Sequence, residues 1–189
     1  MKHFALAAAI SALSTGAAFA DAAPFTLDPD HSTVTFTWSH GGFSTTFGVF
    51  FDVAGSIEFD QDDPAASSVA VSFPLGGMLV DPDLYGHLQG EQFFGSFGEE
   101  TVEFTSTAIE VTGENTALIT GTLSVNEMSA EVVLDATMNA MGPGPRGGTI
   151  AGFDATTTVL RSDFGVGAFA PFVSDEVEVE ISIEASPAS

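Results

Sequence analysis

The feature that most limits how this chain folds is a two-residue alternation of apolar and polar side chains. It is clearest in residues 176–184, where valine or isoleucine fills every odd position and glutamate or serine every even one. The same alternation recurs in residues 33–38, 68–75 and 131–138. Because successive side chains of a β-strand point to opposite faces, the pattern predicts antiparallel sheet with one wet face and one dry face.

The spacing of such segments predicts an all-β domain of about eight strands. Further strands are predicted at residues 47–60, 101–112, 116–126 and 149–160. Turn sequences rich in glycine, proline and aspartate separate them, as at Gly41-Gly42, and acidic runs such as residues 60–63 are interpreted as solvated turns. Residues 82–90 predict one short helix that begins near Pro82. Eight antiparallel strands with a dry face are expected to close into a barrel, which leaves no exposed edge.

The N-terminus is typical of a secretory signal peptide. Lys2 is followed by an apolar stretch from Phe4 to Leu13 and by an A-x-A pattern that ends at Ala20. This stretch is shorter than the about 20 apolar residues that a membrane-spanning helix needs. We therefore expect residues 1–20 to be removed, residues 21–189 to form one domain, and the protein to be periplasmic or secreted.

The charge balance excludes several classes of partner. The chain has 26 acidic residues and a formal net charge of −23, and its only lysine or arginine residues are Lys2, Arg146 and Arg161. A surface of this kind repels nucleic acid and anionic lipid headgroups, and we expect no stable membrane insertion. The absence of cysteine means that packing and backbone hydrogen bonds must stabilise the domain without disulfides.

Phenylalanine dominates the aromatic residues, with 18 copies against one tryptophan and one tyrosine. An eight-stranded barrel is just wide enough to be filled by its own side chains or to hold one small ligand. Composition leaves both alternatives open. If the barrel holds a ligand, the alternation predicts an apolar lining formed by Phe36, Trp38, Phe43, Phe104 and Phe153.

Candidate chemistry is sparse. His31, His40 and His87 lack the spacing of metal ligands, and no nucleophile motif is present, so we expect no catalytic residue and no metal. Arg161 precedes Ser162-Asp163-Phe164-Gly165 at the end of a predicted strand. It is interpreted either as a structural fork to Asp163 or to backbone carbonyls, which we favour, or as a contact to a ligand headgroup.

Several short motifs, taken in order, resemble the YceI-like family. These motifs are Leu27 to Ser32, Gly42 to Ser44, Phe104 to Ser106, Gly121 to Leu123, Gly152 to Thr158, Arg161 to Gly165 and Asp175 to Val177. The resemblance implies an exported, lipocalin-like antiparallel barrel that buries a polyisoprenoid or similar lipid and is able to form a homodimer. It implies no shared catalytic residue and no cofactor other than the bound polyisoprenoid or quinone-type lipid. The lysines that are typical of the family are missing here, which bears on the headgroup.

The function predicted from the sequence is storage or transport of a long apolar lipid inside the barrel. A bilayer is already apolar, so selectivity must come from cavity shape and from the headgroup. With two arginines beyond the signal peptide, a neutral headgroup such as a quinone-like ring or an amide is expected in preference to a pyrophosphate. Two alternatives are a lipid-modifying enzyme without a visible motif and a structural or stress protein whose barrel fills itself.

Overall fold

The computed structural model describes residues 22–98, 100–145 and 147–188, so the predicted signal peptide and Arg146 lie outside the described residues. The described residues contain one α-helix, α1 (Pro82–Leu88), and four short 3-10 turns. They also contain eleven strands: β1 (Ala23–Leu27), β2 (Thr33–His40), β3 (Ser44–Phe50), β4 (Ala54–Phe59), β5 (Ser68–Pro74), β6 (Met78–Leu79), β7 (Thr101–Val111), β8 (Thr116–Val125), β9 (Met128–Pro143), β10 (Thr149–Leu160) and β11 (Glu176–Pro187).

Eight of these strands close into an antiparallel barrel. The order around the barrel is β1-β4-β5-β7-β8-β9-β10-β11, and β11 returns to β1 through residues 185–187. The earlier part of β11, residues 178–182, pairs with β2 instead. Strands β2, β3 and β6 therefore extend the wall at the end of the barrel where β11 begins. This architecture confirms the prediction of an all-β antiparallel barrel with about eight strands and one short helix.

The alternation in the sequence correctly predicts which side chains of these strands face inward. In β11, Val177 and Ile183 are buried, whereas Glu178 and Glu180 are exposed. The same holds in β9, where Val132, Leu134 and Ala136 are buried and the residues between them are exposed. The dry face of the sheet is therefore the inside of the barrel, and the acidic residues of these strands lie on the outside.

The prediction of one strand over residues 47–60 was wrong. The chain leaves β3 after Phe50, turns a corner at residues 51–53, and enters the barrel as β4. Asp52 makes this corner with a φ of 57°, a left-handed conformation that aspartate tolerates better than most residues. Val53, which is fully buried, anchors the corner to the core.

Two bulges shift the alternation within single strands. The register of β7 against β8 skips at Thr107, so the inward positions change from Val102 and Phe104 to Ile109 and Val111. The register of β9 against β10 skips at Asn139 in the same way. An extra residue on one strand reverses which side chains face inward beyond it. Both long strands thereby keep apolar residues facing inward on both sides of the bulge.

Aspartates cap the turns and the helix. Asp81 precedes α1, and its Oδ1 accepts hydrogen bonds from the backbone N–H of Asp83 (3.0 Å) and of Leu84 (3.4 Å). Asp60 is 7% exposed, and its Oδ1 accepts from two backbone N–H groups in the loop after β4. The interpretation of Asp60 as a solvated residue was therefore wrong, because its side chain is buried and caps two backbone N–H groups of the loop. No helix among the described residues is long and apolar enough to cross a bilayer.

Candidate functional site

The barrel encloses an elongated cavity of about 920 Å³. This volume lies near the upper end of the ~300–1,000 Å³ range of small-molecule sites. Its lining residues on β8 run from Thr116 to Val125, a distance of roughly 30 Å at about 3.3 Å per residue. The wall is formed by valine, isoleucine, leucine and phenylalanine side chains, so the cavity suits a long apolar chain. The presence of this cavity argues against the alternative in which the barrel is filled by its own side chains.

Small residues keep this space open. Ala117, Ala136 and Ala155 lie side by side on β8, β9 and β10, and all three line the cavity. Gly121 on β8 leaves room for the Phe104 ring, which contacts any Cβ placed there, and Gly48 does the same for Phe36. The two glycines let aromatic rings pack directly over the backbone of the neighbouring strand.

Four of the predicted lining residues border the cavity, namely Phe36, Trp38, Phe104 and Phe153. The Trp38 indole stacks on the Phe36 ring, with centroids 5.8 Å apart and planes 7° from parallel. Phe43 is placed elsewhere. It is 86% exposed in the hairpin between β2 and β3, because the strand pairing ends at His40 and the alternation does not continue through the turn.

Arg161 also borders the cavity, but its guanidinium is held by the protein backbone. Its Nε donates to the carbonyl of Ser174 (2.9 Å), and its two terminal nitrogens donate to the carbonyls of Val166 (2.6 Å), Ala168 (3.3 and 3.4 Å) and Val173 (3.1 Å). These bonds occupy all five N–H donors of the group. Burial lowers the pKa of the guanidinium, an effect that nearby Asp175 opposes.

This geometry favours the structural alternative for Arg161 over a headgroup contact. Its acceptors are carbonyls of the loop between β10 and β11, and the alternative partner named from the sequence, Asp163, is not among them. Asp175 is held by the neighbouring residue instead, since Ser162 donates to it through its backbone N–H and its hydroxyl (2.9 and 2.6 Å). Arg161 thus folds a loop that covers one end of the cavity.

At that end, α1 and the segment after it meet the loop between β10 and β11. The imidazole of His87 lies 5.1 Å from the Phe93 ring and 6.3 Å from the Phe169 ring, measured between centroids. His40 packs edge-on against Phe172 at 5.3 Å. Within the described residues, neither imidazole forms a hydrogen bond to another side chain. Both histidines therefore act here as aromatic packing partners, a role that the sequence did not indicate.

The opposite end of the cavity is more polar. It is bordered by the β7–β8 turn and by neighbouring side chains, which include Ser67, Glu114, Asn115, Thr116, Thr137 and Asp154. These groups are neutral or acidic. They are able to hydrogen-bond a neutral headgroup, and the two carboxylates repel an anionic one.

One group of described residues brings three potential metal ligands together, outside the cavity lining. Ligand atoms of Asp28, His31 and Glu184 lie within 4.8 Å of one another. The Asp28 carboxylate accepts from the backbone N–H of Asp30 and contacts His31 Nδ1 at 2.9 Å, and this contact raises the pKa of the histidine. These bonds stabilise the turn between β1 and β2, which is a sufficient structural reason for the group.

Comparison with known proteins agrees with this architecture. Residues 25–185 match the YceI-like domain family. A UPF0312 protein of Pseudomonas savastanoi pv. phaseolicola is 34% identical over 183 residues, which cover 95% of this chain and 94% of that protein.

Several solved structures share the fold, and two of them come from Burkholderia cenocepacia and Saccharophagus degradans. Burkholderia cenocepacia BcnA has a TM-score of 0.75 at 22% identity, covering 85% of this chain and 99% of its own. A polyisoprenoid binding domain from Saccharophagus degradans has a TM-score of 0.59 at 12% identity, covering 87% and 98%. The family match spans nearly the whole described chain, and the protein therefore belongs to the YceI-like family.

Proposed function

We propose that this protein binds one long-chain lipid, such as a polyisoprenoid or an isoprenoid quinone, inside its barrel and stores or carries it after export. The observation that carries the proposal is the elongated, apolar cavity of about 920 Å³. At ~30 Å³ per non-hydrogen atom, the space that one water molecule takes in the liquid, it accommodates roughly 30 carbon atoms, or about six isoprene units. The shared fold of the polyisoprenoid binding domain from Saccharophagus degradans supports the same ligand class.

The headgroup in this proposal is neutral. A pyrophosphate needs several cationic or N–H donors, and the donors of Arg161 are already bound to loop carbonyls. The polar end of the cavity adds Glu114 and Asp154, which disfavour an anion. A quinone-like ring or an amide requires only hydrogen bonds, which Asn115 and Thr116 are able to provide. Binding without catalysis is the simpler function, since neither His40 nor His87 has a side-chain hydrogen-bond partner in the part of the chain described.

The direct test is native mass spectrometry of the purified protein, followed by extraction and identification of bound lipid. We expect one neutral isoprenoid per chain. A co-purifying polyprenyl pyrophosphate would contradict the headgroup assignment and leave the lipid-binding function intact. A protein that carries no lipid and takes none up would contradict the function itself.

Uptake is measurable through the single tryptophan. Trp38 lines the cavity, so a neutral polyprenol or quinone added in detergent should change its fluorescence. The Trp38→Phe variant should lose this signal while extraction still recovers the same lipid, which separates the reporter from the binding. Turnover of the lipid that disappears when His40 is replaced would instead favour an enzyme.

A further inference from the structure

One end of the barrel carries a group of exposed phenylalanines, which we call the phenylalanine rim. Its members are Phe43, Phe47, Phe169 and Phe172, with 86%, 68%, 53% and 57% of their surface exposed. Soluble proteins rarely leave several large apolar side chains exposed together, and such surfaces mark contacts with membranes or with other proteins. The rim is therefore a candidate surface for contact with an apolar partner.

The rim borders the cavity. Phe169 and Phe172 belong to the loop that Arg161 holds, and both also line the cavity. A Cβ placed on Gly41 meets the rings of both Phe43 and Phe172, so these two rings lie next to each other at the β2–β3 hairpin. The Gly41 N–H also donates to the Phe172 carbonyl at 2.7 Å. The exposed rings of Phe43, Phe169 and Phe172 are thus continuous with the apolar wall of the cavity.

The rim phenylalanines also lie in two stretches of the sequence that lack acidic residues. Residues 31–51 contain no acidic residue, and residues 164–174 contain no charged residue at all, in a chain with 26 acidic residues. These two segments supply all four rim phenylalanines. These two segments can contact an uncharged apolar partner without burying carboxylates of their own, whereas the acidic exterior of the protein repels anionic surfaces.

We propose that the phenylalanine rim docks the protein on the surface of a neutral lipid bilayer, with the rings inserted among the lipids and the cavity end facing them. The purpose of this docking rests on the proposed function, because a bilayer is the apolar phase in which such a lipid resides. A neutral bilayer suits the rim better than a second copy of this chain does. Two copies bring together two strongly acidic molecules, and their contact covers the cavity end that a lipid has to enter.

The test is flotation with vesicles of phosphatidylcholine alone, with vesicles of phosphatidylglycerol alone as the anionic comparison. The protein should float with the neutral vesicles and less with the anionic ones at low salt. The double variant Phe43→Ser/Phe47→Ser should bind about a hundredfold more weakly, since a phenylalanine side chain is worth about tenfold or more in transfer from water. Neither of these rings lines the cavity. Val133→Ser, which replaces an exposed apolar residue (45%) on the outer face of β9, is the control and should float like the parent.

Every outcome bears on the proposal. Failure of the parent to float, or equal flotation of parent and double variant, overturns it. A dimer in light scattering that the double variant loses, without vesicle binding by the parent, assigns the rim to a second copy instead. Uptake of a quinone from detergent, read by Trp38, is measured in parallel. Uptake without flotation refutes the docking alone, and flotation without uptake refutes the proposed function alone.

Discussion

Replacing Ala136 by phenylalanine should shorten the longest lipid that the barrel holds. Ala136 is 9% exposed on the cavity wall, between Ala117 and Ala155 on the adjacent strands. The substitution adds six carbon atoms, which at ~30 Å³ each take up roughly 180 Å³. That is about a fifth of the cavity, so the longest bound chain should lose about one isoprene unit. Expressed as burial from water, six carbons correspond to at most about 5 kcal/mol.

The assay is competition among neutral polyprenols of increasing length, read by Trp38 fluorescence. The parent and the variant should bind short chains alike and diverge at the long end. Ala140→Phe is the matched control, because Ala140 lies on the same strand beyond the bulge and is exposed. Identical length profiles for Ala136→Phe and Ala140→Phe would refute the assignment of the cavity as the lipid site. Thermal unfolding without ligand checks that the added ring fills space rather than strains the wall.

Three further predictions concern stability and electrostatics. Arg161→Gln removes the guanidinium that binds four loop carbonyls. It should lower the free energy of unfolding, measured in urea, by about 3 kcal/mol. An unchanged unfolding midpoint would show that the loop does not need these hydrogen bonds. Gly121→Ala places a methyl group against the Phe104 ring and should cost about 1–3 kcal/mol, whereas Gly142→Ala, with nothing within 4 Å, should have little effect in the same denaturation experiment. Asp28→Asn should lower the pKa of His31 toward its ordinary value, as followed by NMR titration of the imidazole. Because Asp28 raises that pKa, the contact stabilises the protein below about pH 6.5, and its contribution fades as the pH rises through the folded-state pKa. A stability difference between the parent and Asp28→Asn that grows with pH would contradict the assignment.

The fold was predictable because the signal is local and repeated. Each alternating segment independently fixes which side chains face inward, as the glutamates of β11 show. The bulges at Thr107 and Asn139 are harder to read, because a reversal of the alternation looks like noise in a single strand. The break after Phe104, where inward residues move from even to odd positions, was nevertheless visible in the sequence and would have identified Ile109 and Val111. The corner at Asp52 left no comparable signal, so β3 and β4 were merged.

The site was predictable only where it lies on regular strands. Phe36 and Phe153 follow from alternation, whereas Phe43 sits in a turn where alternation has no meaning. Phe169 and His87 come together because a loop and a helix meet across the end of the barrel, a contact between residues distant in sequence. The row of Ala117, Ala136 and Ala155 depends on strand register. Pairing of strands fixes that register, and no single segment encodes it.

The five bonds of Arg161 also bear on how this acidic protein behaves in different media. Ion pairs between exposed side chains weaken as salt is added, because mobile ions screen them beyond a Debye length of about 8 Å at physiological ionic strength. The guanidinium instead contacts uncharged carbonyls at 2.6–3.4 Å, too close for mobile ions to intervene. Its charge does not titrate in the physiological range either. The end wall of the cavity should therefore keep its shape from dilute buffer to brine while the acidic exterior changes its ion atmosphere.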